Sequence, residues 1–301
     1  MHRAVTHRNA LFALHASVAL FGLAALFGQW VTLPATLIVL GRTSIAAATL
    51  AIVAYARGEP LRPGDRRLFV NGAVLALHWV SFFAAVKLAS VAIALLGYAT
   101  FPVFVLALSP RERLRVAWRD YATAALATLG LVAIVPALSW SSDATLGLVL
   151  GIVSGFTFAW LAVRNRGLVA RRSATLIALW QNVGAAVCLV PVALAVSASA
   201  PAPSLVDLAL LAVLGVVCTG LAHTLFIASM RNVSAHAASV VASLEPVYGI
   251  ALAAWLLHQI PDVRTIAGGA LIVAAALAAS QRSLGEARAV SVASGEARMG
   301  P

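Results

Sequence analysis

The sequence predicts an all-α integral membrane protein of ten transmembrane helices, arranged as two inverted five-helix repeats. Three observations carry that prediction. Of 301 residues, 62% are hydrophobic and only 10% are charged, whereas a soluble domain of this size carries roughly 25% charged residues. The apolar residues gather into ten runs, and the basic residues gather between alternate runs.

The runs cover residues 10–27, 35–55, 68–86, 91–109 and 121–138, then 145–163, 174–196, 205–226, 235–257 and 265–280. A hydrocarbon core takes about 20 apolar residues per helix. Strands of a β-barrel would instead alternate over about ten residues. Helices are the other way to satisfy a backbone in lipid. The first run follows a basic start, as a signal peptide would. It is long for a signal core and no small-x-small cleavage site follows it, so it is expected to be the first helix.

Orientation follows from the basic residues. With the N-terminus cytoplasmic, inside segments hold 18 of the 21 lysines and arginines, from Arg3 and Arg8 through the 164–172 loop to Arg298. Outside loops hold only Lys87 and Arg264, and Arg42 lies within the second run. Both termini are therefore expected in the cytoplasm of a bacterial-type cell, with the chain in the inner membrane.

A repeat shows at an offset of 144 residues, where 77–104 aligns without gaps to 221–248. Pro102–Val103 matches Pro246–Val247, Lys87 matches Arg231, and Phe104 matches Tyr248. Five helices per repeat is an odd number, so the second repeat enters the membrane from the opposite side. Such inverted repeats place a binding site near the midplane between them. The expected units are 1–138, 139–281 and a disordered cytoplasmic tail over 282–301. An outer linker is expected near 197–203.

The formal net charge of +11 would suggest nucleic acid if it formed one patch on a soluble fold. It is divided among short loops without interleaved aromatics, so no nucleic-acid partner is expected. Cys188 and Cys218 sit in apolar runs as small hydrophobes. No spacing suggests a metal site or a cofactor.

The candidate functional residues are polar side chains inside the runs. A charge at a helix centre costs roughly 2.5–3.5 kcal/mol on insertion scales. The second run holds eight Leu, Ile and Val residues beside Arg42, each offsetting roughly 0.3–0.6 kcal/mol. Arg42 thus makes its helix marginal: it faces a polar interior or snorkels to an edge about 10 Å away. Glu245 is the only acid deep in any run. Pro246 after it frees the carbonyl of Ala242, and Ser239 and Ser243 lie near. This spot is expected to bind a proton or a cationic group, or else to tie one helix to another. His78, Trp79 and Phe82 in the third run and His223 in the eighth are further candidates. Gln181, Asn182, Tyr98, Trp160 and Tyr248 could line a pocket with aromatic walls. The rings have interfacial belts as their alternative role. His15 and His236 are expected to bond between helices, and Gly147, Gly151 and Gly155 to allow close packing.

Several stretches resemble the drug/metabolite transporter superfamily, specifically its EamA-type members, over nearly the whole chain. They are ALLGYATFPVFVLAL ending the fourth run, VVASLEPVYGIALAAWLL in the ninth, HWVSFFAAVKLASVAIAL in the third and fourth, and the arginine of the second. Many members carry a Gly–Glu pair after the fourth and ninth spans; here Arg111–Glu112 and His258–Gln259 stand there. The resemblance implies a secondary carrier, not an enzyme. Export of an amino acid or related compound by alternating access is the first expectation, with protons as a candidate coupling ion and a homodimer left open. Uptake of a vitamin-like solute is the alternative. From another class, a lipid-modifying membrane enzyme would need a second catalytic group at the depth of Glu245. No Walker-type phosphate loop is present for direct ATP drive.

Overall fold

The computed structural model describes residues 7–62, 66–89, 94, 97–98, 100–108, 118–134, 142–257, 263, 266–275 and 277–278. Every regular element among them is helical. In order these are α1 (His7–Trp30), α2 (Ala35–Ala56), α3 (Arg66–Leu88), α4 (Phe101–Leu108), α5 (Trp118–Ile134), α6 (Ser142–Leu168) and α7 (Ala174–Ser197). They continue with α8 (Leu205–Ser229), α9 (Ala235–Ala242), α10 (Glu245–Leu257) and α11 (Ile266–Ala275).

Seven stretches among the described residues are helices long and apolar enough to cross a membrane: α1, α2, α3, most of α6, α7, α8, and α9 taken with α10. The shorter α4, α5 and α11 occupy the fourth, fifth and tenth apolar runs. The expected tail lies outside the described residues, as do the two loop pairs Arg111–Glu112 and His258–Gln259. Side chains such as Ile52, Leu194 and Trp255 are exposed on the outside of the bundle. Helices apolar all round are what a lipid solvent demands.

Helix starts follow local chemistry. Pro34 stands just before α2, where its fixed φ suits a first turn. Ser173, Ser204 and Ser234 cap α7, α8 and α9, each accepting from a backbone N–H of the first turn. Asp207 completes a capping box with Ser204. It also accepts from the backbone N and hydroxyl of Thr32 at 2.9 and 3.0 Å, pinning the α1–α2 loop to α8.

The ninth run differs from the single kinked helix its sequence suggests. α9 stops at Ala242, Ser243 and Leu244 form a turn, and α10 begins at Glu245. Pro246 thus occupies the first turn of a new helix, where no intrahelical donor is lost. α4 begins the same way, on Phe101–Pro102. Thr100 N bonds Gly97 O at 3.2 Å and Leu244 N bonds Val241 O at 3.0 Å. Phe104 N bonds Thr100 O at 3.1 Å and Tyr248 N bonds Leu244 O at 2.9 Å.

The matched basic residues also do one job twice. Lys87 donates to Val31 O at 3.2 Å, just past the end of α1. Arg231 donates to Val169 O at 3.0 Å, just past the end of α6. A cation on the final carbonyls of a helix answers its negative end.

Packing repeats in the same sense. α3 lies against α6 and α7, and α8 lies against α1 and α2. α4 lies against α6, and α10 lies against α1. α2 packs on α7 across the middle. Exchanging each run with the one five places along returns these contacts.

One turn breaks the pattern. Val216–Leu221 within α8 is π-helical, and the Thr219 hydroxyl donates to the carbonyl of Leu214 at 2.7 Å. Up to Val217, the second residue of this turn, the two halves match at an offset of 143: Leu68, Val70, Gly72 and Val74 stand opposite Leu211, Val213, Gly215 and Val217. From residue 221 onward the offset is 144. The turn is one extra residue absorbed as a π-bulge. A Cβ on Gly72 would meet Gln181 O at 2.6 Å, and one on Gly215 would meet Ile45 at 2.7 Å and Arg42 O at 3.1 Å. Both glycines let α3 and α8 close on α7 and α2.

Candidate functional site

A small internal cavity lies where α1, α2, α3, α6, α8 and α10 converge. Its volume is about 30 Å³, room for the centres of about two waters. Leu75, Phe83 and Phe158 supply much of its apolar wall, and Arg42, His78, His223 and Glu245 its polar groups.

Arg42 is only 2% exposed, so it does not snorkel. Its Nε donates to Thr219 Oγ1 at 2.8 Å. Its guanidinium carbon lies 4.2 Å from the centre of the Trp79 ring and 5.4 Å from that of Phe83, within cation–π range. None of these contacts is an ion pair. Glu245 lines the same cavity from the first position of α10.

His78 is held from the far side. Its Nδ1 lies 2.9 Å from Ser154 Oγ and 3.0 Å from Ser154 O. Its ring stacks on Phe158 at 4.9 Å. His223 stands edge-on to Trp79 at 5.7 Å, and its Nδ1 is buried without a hydrogen-bond partner. Phe82 and Tyr98 pack edge to face at 6.1 Å.

Of the twelve residues singled out from sequence, the fold brings seven to this cavity: Arg42, His78, Trp79, Phe82, Tyr98, His223 and Glu245. Five lie elsewhere. Trp160 is half-buried under Arg164, whose guanidinium carbon sits 4.5 Å above its ring. Gln181 donates to Asn165 Oδ1 at 2.6 Å. Asn182 donates to Ala178 O on its own helix at 2.8 Å. Ser243 bonds Ser239 O at the break between α9 and α10. Tyr248 meets His15 Nδ1 at 3.2 Å. Depth in an apolar run does not say which way a side chain points, and these five do not line the cavity. The sequence reading had not singled out Thr219, Ser154, Phe21, Phe83 or Phe158. Only Thr219 left a trace, in the slip from 143 to 144 within 218–220.

Residues 145–281 match the model of the EamA-like transporter family. The chain is 31% identical over 262 residues to the pseudopaline exporter CntI of Pseudomonas aeruginosa, covering 84% of this chain and 89% of that protein. It is 28% identical over 231 residues to an uncharacterized transporter of Archaeoglobus fulgidus, covering 76% and 82%. A protein crystal structure that is 20% identical superposes with a TM-score of 0.79 over 92% of this chain and 98% of that one, which shows a shared fold. A helical membrane fold around a charged internal cavity defines a multi-pass membrane carrier, and the chain belongs to the EamA-like transporter family.

Proposed function

We propose that this protein is a secondary active exporter of an amino acid or related small metabolite, working by alternating access between two inverted five-helix halves. The carrying observation is one internal cavity, lined from both halves of the chain, that holds both Arg42 and Glu245. The Pseudomonas relative is an exporter by name, which supports the direction. The exchanged packing contacts, the twin helix starts at Phe101–Pro102 and Glu245–Pro246, and the twin caps by Lys87 and Arg231 support the repeat. Glu245 is the eleventh of 22 residues in the span Ala235–Leu256. At that depth it is the group to bind a coupling proton or a cationic part of the substrate.

The test is an unbiased comparison of metabolites outside cells with and without the protein. At least one amino-acid-like compound should accumulate outside only when the wild-type protein is made. No difference in any extracellular compound would sink the exporter proposal. Topology is checked separately: a cysteine at Ser199 should label from outside intact bacterial cells and one at Arg166 should not. The reverse labelling would break the ten-span arrangement with both ends inside.

A further inference from the structure

Arg42 and Glu245 face one small cavity, and neither is saturated by a protein partner. Among the described residues, Arg42 uses Nε on Thr219, and its two terminal nitrogens make no hydrogen bond. The Glu245 carboxylate makes none either. Neither group is among the side-chain atoms sealed from all space without a partner, so their free valences open on the cavity. A charge left unsatisfied in a membrane interior is costly. No ion pair joins the two among the described residues, which leaves both able to meet a group between them.

We propose that these residues form the two poles of an amino-acid clamp, in which Arg42 takes the α-carboxylate and Glu245 the α-ammonium of a substrate with an apolar side chain. The inference rests on the exporter function proposed above and adds the recognition chemistry. A simple anion would satisfy Arg42 but meet the like charge of Glu245. A simple cation would do the reverse. A zwitterion answers both. The guanidinium fork matches a carboxylate through two parallel N–H donors, and here the edge carrying the terminal nitrogens is the free one. Both groups line this one small cavity, so a single small ligand between α2 and α10 could meet both. Leu75, Phe82, Phe83, Tyr98 and Phe158 supply the apolar wall for the side chain.

The π-turn of α8 explains how Arg42 is aimed. Thr219 donates its hydroxyl hydrogen to Leu214 O and accepts from Arg42 Nε. Trp79 lies under the guanidinium face. One edge and one face are therefore fixed. Thr219 is a positioning residue, brought into place by the extra residue that α3 lacks.

Binding to the full-length protein in lipid nanodiscs tests the clamp. The probes are L-leucine and L-phenylalanine, their decarboxylated forms 3-methylbutylamine and phenethylamine, and their deaminated forms 4-methylpentanoate and 3-phenylpropanoate. Wild type should bind at least one amino acid about tenfold or more tighter than either of its truncated analogues. Arg42→Gln should lose the preference over the amine while keeping that over the acid. Glu245→Gln should do the opposite. Thr219→Val should weaken amino-acid binding more than amine binding, and Thr219→Ser should restore it. If Arg42→Gln fails to fold, the wild-type ligand series and the Thr219 pair still decide. Failure of both amino acids to bind, equal binding of truncated ligands, or unchanged preferences in the variants would overturn the clamp. Continued export of some metabolite alongside any of those results would leave the exporter function standing and remove only the clamp.

Discussion

The helix starts at Phe101–Pro102 and Glu245–Pro246 are built alike and filled differently. Each follows a turn, each places proline in its first turn, and their backbone hydrogen bonds agree to within 0.2 Å at 3.2 against 3.0 Å and at 3.1 against 2.9 Å. Phe101 is only 1% exposed and packs on Tyr98 and Phe158, with ring centres 5.7 and 4.6 Å away. At the matching place, Glu245 turns a carboxylate to the cavity. The backbone device occurs twice and the chemistry once. One copy supports the wall, and the other carries the charge.

The largest expected effect separates these two jobs. Glu245→Gln should lower transport at least about tenfold, the loss of one charge-assisted contact, with little change in melting temperature. Phe101→Ala should cost about 3–5 kcal/mol of stability as a core truncation while surviving molecules retain transport. Equal losses of transport per folded molecule in both variants would erase the distinction.

Deleting Thr219 comes next. It should turn the π-turn into an ordinary α-helical turn and bring α8 into the 143-residue register throughout. Folded yield should stay near wild type, while transport falls about tenfold as Arg42 loses its anchor. Collapse of the fold would show instead that the extra residue is structural. His78→Ala should lower transport more than folded yield, since His78 stands in the cavity wall. Equal falls in both would give it a packing role alone.

The smallest effects test the other matched pair. Lys87→Met and Arg231→Met should each cost about 0.3–1 kcal/mol, the worth of a cation at a helix C-terminus. Thermal melts should show similar small shifts. A large shift in only one would mean that the two caps are not equivalent.

Much of this molecule is legible in its sequence. Burying backbone in lipid forces long apolar helices, so the runs appear directly, and the loop arginines show where they end. Glu245 and Arg42 are legible because a charge inside such a run needs a reason. Direction is not legible. On helices apolar on every side there is no polar face to set rotation, and so Trp160 and Gln181 looked as suited to a pocket as Trp79. The break before Glu245 was hidden because proline marks both a kink and a first turn. The π-turn was hidden because one more small residue hardly alters an apolar pattern. It surfaces only as a slipped register.

The contact at Gly22 has a mechanical side. A Cβ there would lie 2.8 Å from the carbonyl oxygen of Glu245 and 2.8 Å from Gly249 N, so α1 and α10 meet main chain to main chain. Such a seam works as a plain bearing. One side-chain pair, His15 with Tyr248, ties the two helices beside it, and almost no slack exists to absorb sliding. A shift of α1 along α10 presses on the peptide unit that bears the cavity's carboxylate. Grease or grit at this point, in the form of one added methyl group, would jam the joint rather than merely loosen it.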